Sequence, residues 1–181
     1  MTLFRTATLA GLLCLPLLMA AARDDDRKLI DRRPPGEPTT DQEFLVRAIA
    51  CEVAEVKFAE RAAKNATDAD VRKLAQEMAE HHKKVRDELL ERAKKMRVGV
   101  VEGLDKEHRD QYDRMSKLEG KEFDREYVRH LVEGHEKSVK MYKKWAKDAK
   151  DAGLREAADT ALGKRQDHLD QAKKLQARLK E

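Results

Sequence analysis

Four polar side chains stand on the apolar faces of four predicted helices, and all four are of types that bind metal ions. Glu52 lies near the middle of one face, and each of the other faces carries a histidine, namely His82, His135 and His168. A carboxylate or an imidazole is costly to bury without a polar partner, so we expect these side chains to meet one another. One carboxylate and three imidazoles can bind a divalent zinc, iron or copper ion, because imidazole suits all three metals and a carboxylate fills the fourth position.

Two neighbouring residues extend this candidate set. Glu55 lies at the edge of the same face as Glu52, where it is a candidate fifth ligand or a hydrogen-bond acceptor for a ligand. His81 precedes His82 at the edge of the second helix face, and it is an additional candidate ligand. For His81, His108 and His130, the pattern favours a solvated or capping role.

The same residues also fit a metal-free interpretation, which the sequence alone favours. A buried carboxylate that accepts hydrogen bonds from imidazole N–H groups can satisfy all the polar atoms without an ion. Two alternatives therefore stand, a hydrogen-bonded network with no cofactor and a centre for a divalent metal.

The sequence contains no constellation typical of a catalytic nucleophile or of a di-iron centre. It has no Gly-x-Ser-x-Gly motif, no phosphate-cradling glycine loop and no Cys-x-x-Cys motif. A di-iron centre needs two Glu-x-x-His motifs, and no Glu stands three residues before His82, His135 or His168. Whether the chain is an enzyme stays open, and a non-catalytic protein is the favoured interpretation.

Four long predicted helices position these side chains. Charged residues make up 41% of the 181 residues, and all four prolines lie at or before Pro38, so the rest of the chain favours long helices. Thr40 and Thr67 are the predicted N-caps of the first two helices. The predicted helices cover about residues 41–64, 68–97, 121–150 and 154–179, and a further short helix is predicted before Gly120.

Each predicted hairpin places its two polar side chains at a similar depth. Glu52 lies about 13 residues before the first turn, and His82 lies about 15 residues after it. His135 and His168 lie about 16 residues before and 15 residues after the second turn. At 1.5 Å per residue, all four approach the middle of the helices, so we expect Glu52 to face histidines.

The loop lengths predict an all-α, ferritin-like four-helix bundle. Short turns join the first helix to the second and the third to the fourth, so each pair is antiparallel. The link of about twenty residues between the second and third helices is long enough to run back along the bundle, which is the single long crossover of ferritin-like folds. An up-down-up-down bundle is the alternative.

The N-terminal residues predict export to the periplasm or outer envelope. Arg5, an apolar run and three small residues predict a signal peptide over residues 1–22, and an uncleaved anchor helix is the alternative. Residues 23–39 are charged and proline-rich, which predicts a disordered linker before a bundle domain over residues 40–181. Cys51 is then the only cysteine of the mature chain, so no internal disulfide is expected.

The charge pattern indicates which classes of binding partner the sequence favours. The formal net charge is +4, and basic residues are interleaved with acidic ones without a basic stripe, which argues against nucleic-acid binding. Partners are otherwise unknown, and association with the envelope and homo-oligomerisation both remain open.

Four segments resemble the domain-of-unknown-function 4142 (DUF4142) family, namely CEVAEVKFAERAA, LAQEMAEHHKKVRDEL, LEGKEFDREYVRHLVEGHEKSV and DHLDQAKKL. The resemblance covers about residues 40–180 and implies an exported bacterial protein with a ferritin-like bundle and no established reaction. His81 stands where the family usually has Asp, and Leu162-Gly163 stand where it usually has Leu-Pro, which implies a straighter last helix. The recurring residues of the family match Glu52, His82, His135, His168, Phe123, Asp124 and Tyr127.

The whole pattern predicts an exported ferritin-like bundle with a buried Glu/His cluster and a non-catalytic role in the envelope. The alternative is a metal-binding or metal-dependent redox protein that uses the same cluster. A helical module that binds a partner through an exposed apolar patch is a third interpretation.

Overall fold

The computed structural model describes residues 38–101 and 103–180, and within them the chain is all-helical, as the sequence predicts. The helices are α1 (Asp41–Asn65), α2 (Ala69–Met96), α3 (Lys106–Met115), α4 (Gly120–Asp148) and α5 (Ala152–Arg178). The predicted signal peptide and linker residues 23–37 lie outside the described part of the chain. No helix in the described part is both long and apolar enough to cross a membrane.

The first two N-caps illustrate how local sequence sets the helix starts. Thr40 caps α1, and its side chain and Glu43 form the predicted capping box. The cap of α2 is Asp68, whose side chain accepts hydrogen bonds from the backbone N–H groups of Asp70 and Val71, so the prediction of Thr67 is wrong. The reason is that the Thr67 hydroxyl donates instead to a carboxylate on α4.

The four long helices pack as two hairpins around a core that is apolar at both ends. α1 packs mainly on α2, and α4 packs mainly on α5. One apolar cluster includes Phe58, Leu74 and Phe123 near the α1–α2 turn, and a second includes Phe44 and Trp145 near the α4–α5 turn. Full burial of each large apolar side chain stabilises the fold by about 1.5–3 kcal/mol. The polar cluster lies between these two apolar regions.

Hydrogen bonds at the helix ends define the direction of each helix. Asp41 at the start of α1 accepts from the N–H groups of Lys150 and Asp151, in the α4–α5 turn. The N–H of Asp68 at the start of α2 donates to Asp124 at the start of α4, at 2.8 Å. α2 and α4 therefore run in the same direction, and the segments 97–101 and 103–119 lie between the end of α2 and the start of α4.

The connecting segment is held against α1 along this path. The Tyr112 ring of α3 packs edge-on against Phe58, with ring centroids 5.5 Å apart. Arg61 donates from its guanidinium to the backbone carbonyl of Ser116 at 2.6 Å. α3 thereby covers one side of α1 and α4.

Substitution of Asp124 by alanine is expected to lower the free energy of unfolding by about 2–3 kcal/mol. The buried Asp124 carboxylate accepts three hydrogen bonds, from the Thr67 N–H, the Thr67 hydroxyl and the Asp68 N–H, at 3.1, 2.6 and 2.8 Å. Hydrogen bonds to charged groups typically contribute about 1.5–3 kcal/mol. Urea denaturation measures the effect, with the exposed Asp110→Ala, which breaks only a surface ion pair with Lys106, as a control expected to cost less than about 1 kcal/mol. Equal costs for the two variants would contradict this role.

Candidate metal centre

Three histidines converge between α2 and α5. One ligand atom of each of His81, His82 and His168 lies within 4.8 Å of the others. His82 and His168 are 0% and 1% exposed, whereas His81 is half-buried. Since consecutive helical residues differ in direction by about 100°, His81 lies closer to the surface than His82.

His135 of α4 approaches the same group from the opposite hairpin. Its ring centroid lies 5.5 Å from that of His82 and 5.6 Å from that of His168. The His135 Nδ1 lies 3.1 Å from the backbone carbonyl of Leu131. A carbonyl only accepts hydrogen bonds, so Nδ1 carries the proton and Nε2 carries the lone pair.

Glu52 is completely buried, and its carboxylate oxygens already accept hydrogen bonds. Oε2 lies 2.7 Å from His82 Nδ1, and Oε1 accepts from the Tyr142 hydroxyl at 3.0 Å and from the Arg165 guanidinium. The contact with His82 agrees with the expectation that Glu52 faces a histidine. His135 and His168 form no hydrogen bond with Glu52 among the contacts of the described residues. The geometry thus makes Glu52 a group that orients His82, with Nδ1 protonated and Nε2 available to a ligand.

Arg165 is the residue of this site that the sequence interpretation missed. It is 2% exposed, and its guanidinium lies 3.8 Å from the centroid of the Tyr142 ring, in addition to pairing with Glu52. A signal was present in the sequence, because Arg165 stands four residues after Ala161 and three before His168, both on the inward face of α5. Arginine side chains are normally exposed to solvent, so the sequence analysis did not include Arg165 in the site.

The ion pair keeps the Glu52 carboxylate charged. Burial opposes ionisation, but the charges of Arg165 and His82 and the hydrogen bonds from them outweigh it and lower the pKa of Glu52 to about 2. Burial also opposes the charge of Arg165, and the attraction of Glu52 more than compensates, so the pKa of Arg165 is raised. The two opposite charges compensate each other at the centre of the fold.

Each histidine of the cluster has one ring nitrogen without a partner. The buried imidazole nitrogens without a hydrogen-bond partner among the described residues are His81 Nδ1, His82 Nε2, His135 Nε2 and His168 Nδ1. Such atoms are rare in folded proteins, and each one calls for a physical explanation. The satisfied network that the sequence favours is therefore present only on the Glu52 side of the cluster.

Burial keeps the imidazoles of His81, His135 and His168 neutral at pH 7. It lowers the pKa of His81 and of His135 to about 4, and that of His168 to about 2. Neutral imidazoles are the form that binds metal ions, since the nitrogen lone pair is then available.

Glu55 lies beside His135. Its Oε1 is 4.0 Å from His135 Nδ1, the nitrogen that donates to the Leu131 carbonyl. Burial raises the pKa of Glu55, but the nearby imidazole of His135 and other histidines lower it overall. The structure thus separates Glu55 from the nitrogens that converge, whereas it brings His81 into their group.

Acidification of the metal-free protein is expected to destabilise it between about pH 6.5 and pH 4. Unfolded histidines take up protons near their ordinary pKa of 6.5, but folded His135 does so only near 4, so the unfolded state binds more protons in this range. His135 alone should cost about 2–3 kcal/mol at pH 4, at about 1.4 kcal/mol per pKa unit. Denaturation as a function of pH measures the slope, which His135→Gln should reduce. The same slope in both proteins would contradict the prediction.

The fold and the site define an all-helical protein with a buried histidine centre. The chain belongs to the family described as Domain of unknown function (DUF4142), whose sequence model matches residues 31–175. This membership confirms the resemblance seen in the sequence. No curated protein matches the sequence.

Two solved structures share the fold. CopM in the Cu(II)-bound form is similar with a TM-score of 0.67 and 18% sequence identity, over 77% of this chain and 97% of that chain. CopM in the Cu(I)-bound form is similar with a TM-score of 0.64 and 18% identity, over 76% of this chain and 95% of that chain. At this level of identity the likeness establishes the helical fold alone.

Proposed function

We propose that this protein binds one transition-metal ion through His81, His82 and His168, with His135 as a further ligand. The observation that carries the proposal is that His81, His82 and His168 each bring one ligand atom within 4.8 Å of the others, and that these three residues and His135 each have a buried imidazole nitrogen with no hydrogen-bond partner among the described residues. A metal ion would give each of these nitrogen lone pairs a partner. The hydrogen bonds within the cluster leave the same lone pairs without one. Glu52 supports the site through the Nδ1–H of His82 instead of acting as a ligand.

The donor set suits copper, zinc and iron ions. Imidazole nitrogen is a common ligand for all three, and a site with three or four nitrogens fits a tetrahedral Zn²⁺ or a copper ion. Copper is the first ion to test, because CopM, which shares the fold, was solved with Cu(II) and with Cu(I). The Glu52–Arg165 pair adds no net charge beside the site, so the ion would be held by neutral ligands.

We further propose that the helices that hold the site form a ferritin-like four-helix bundle, with a long crossover between α2 and α4. The shared direction of α2 and α4, and the position of the described segments 97–101 and 103–119 between them in the chain, support it. The predicted signal peptide supports a place in the periplasm or outer envelope, where the protein would bind metal without catalysing a reaction.

Equilibrium titration of metal-free, untagged protein with Cu(II) and Zn(II) tests the proposal. One equivalent should remain bound after desalting at pH 7, and His81→Ala/His168→Ala should retain none. His108→Gln is the matched control, because His108 lies at the start of α3, outside the cluster, and this variant should bind as the wild type does. Absence of stoichiometric binding, or full binding by the double variant, would contradict the proposal.

A further inference from the structure

A cavity of about 370 Å³ lies on another face of the protein from His81. Residues of α1, α3 and α4 line it, whereas His81 opens to a groove between α2 and α5. The volume lies within the range of sites for small organic molecules. This cavity is separate from the nitrogens assigned to the metal ion.

Glu55 places a carboxylate in the wall of this cavity. Its side chain is 12% exposed, and Oε2 has no hydrogen-bond partner within the described ranges. A Cβ atom at Gly134 of α4 would lie only 3.2 Å from Glu55 Oε1, so a glycine there leaves room for the carboxylate. Glycine in the middle of a helix costs about 1 kcal/mol relative to alanine, and the close approach of Glu55 gives that cost a local reason.

The deeply buried arginine of the wall is already compensated, and the nearby imidazole of His135 has another partner. Arg165 also lines the cavity, but it pairs with Glu52. His135, the nearest imidazole, directs its Nδ1 proton to the carbonyl of Leu131. Glu55 therefore presents a negative charge that a positive group of a ligand would neutralise, since a buried charge without a partner is costly.

The rest of the lining carries both signs of charge, with Lys137, Lys140 and Lys144 beside Glu107 and Glu133. Lys137 is exposed, and Lys144 lies over the Trp145 ring, with Nζ 4.9 Å from the centroid. Met141 and Trp145 supply apolar surface to the same cavity. A ligand that matches these groups has an ammonium group for Glu55, an apolar body, and a carboxylate for the lysines.

We propose that this cavity binds a small zwitterion of the amino-acid type, with its ammonium group on Glu55 and its carboxylate facing Lys137. The apolar side chain of the ligand packs against Trp145 and Met141. This inference goes beyond metal binding and does not depend on it.

The single tryptophan of the chain gives a direct readout, because Trp145 lines the cavity. Full-length, metal-free protein is titrated with L-phenylalanine, with phenethylamine, which lacks the carboxylate, and with 3-phenylpropionate, which lacks the ammonium group. We expect a saturable change in tryptophan fluorescence with phenylalanine, about tenfold weaker binding of phenethylamine, and no binding of 3-phenylpropionate. Tighter binding of 3-phenylpropionate than of phenylalanine, or no saturable change with any probe, would overturn the proposal.

Two variants localise the effect. Glu55→Gln should weaken phenylalanine binding at least tenfold, whereas Glu133→Gln, on an exposed position of the same wall, should change it less than twofold. Circular dichroism checks the fold of both variants. If Glu55→Gln does not fold, the relative affinities of the three probes for the wild type decide whether the proposal holds. Wild-type affinity in a folded Glu55→Gln would overturn the assignment. Copper titration of the same samples tests the proposed metal centre independently, so failure of amino-acid binding and failure of metal binding can be told apart.

Discussion

Substitution of Arg165 by methionine is expected to lower the free energy of unfolding by about 3–5 kcal/mol, the typical cost of breaking a buried ion pair. Arg165 is 2% exposed, and its guanidinium is the cationic partner of the fully buried Glu52 carboxylate. Methionine fills much of the same space but leaves Glu52 charged and without a cation. Urea denaturation of the metal-free protein at pH 7 measures the loss.

Two comparisons make this result specific. Arg178→Met removes an arginine that pairs with Asp68 at the surface, where the side chain is 45% exposed, and it should cost less than about 1 kcal/mol. The double variant Glu52→Leu/Arg165→Met removes both buried charges and should be more stable than Arg165→Met alone, because apolar pairs often replace buried ion pairs at little cost. A loss for Arg165→Met as small as that for Arg178→Met would contradict this account of the pair.

Substitution of His82 by alanine is expected to weaken copper or zinc binding more than 100-fold. His82 is in ring contact with His81, His135 and His168, at centroid distances of 5.2, 5.5 and 5.5 Å, so it is the central member of the cluster. Loss of a group that only orients a ligand typically costs 10–100-fold in affinity, and loss of the ligand itself should cost more. Competition with a chelator of known affinity measures the change.

Glu52→Gln provides the graded comparison for His82. It keeps the shape of the side chain but weakens the acceptor for the His82 Nδ1–H, so metal affinity should fall by about 10–100-fold. Affinity that falls for Glu52→Gln as far as for His82→Ala would indicate that Glu52 is itself a ligand. Unchanged affinity in His82→Ala would remove His82 from the site.

The fold follows from features that sequence displays directly. The distribution of prolines, the helix-favouring composition and the Thr40 capping box predict the helices of the described region, and the structure confirms the all-α class. The error at the second cap has a tertiary cause. Thr67 would suit the cap position by itself, but Asp124 binds its hydroxyl and leaves the cap to Asp68.

The candidate site was only partly predictable, because helical periodicity gives the direction of a side chain but not its partner. The depths of Glu52, His82, His135 and His168 place all four at the centre, and the structure brings them together. Periodicity could not show that Arg165 reaches the same point from α5 and occupies an oxygen of Glu52. That contact, which joins side chains 113 residues apart, is the reason why we propose Glu52 as a support for His82 and not as a ligand.

His81 also shows that helical periodicity does not reveal the partner of a side chain. Its position at the edge of a helix face indicates a solvated side chain, and a half-buried one is found. The sequence names His81 only as an additional candidate ligand. The ring of His168 on α5 lies 4.9 Å from that of His81, and this approach, which α2 alone does not reveal, brings His81 into the cluster.

Crystals of the protein grown with one equivalent of copper or zinc, measured with X-rays near the absorption edge of the metal, test the central claim most directly. We predict one anomalous peak, which marks the metal ion, about 2.0–2.1 Å from nitrogens of His81, His82 and His168, the usual metal–imidazole distance. A peak bound elsewhere, or no peak and ordered water molecules hydrogen-bonded to those nitrogens, would contradict it.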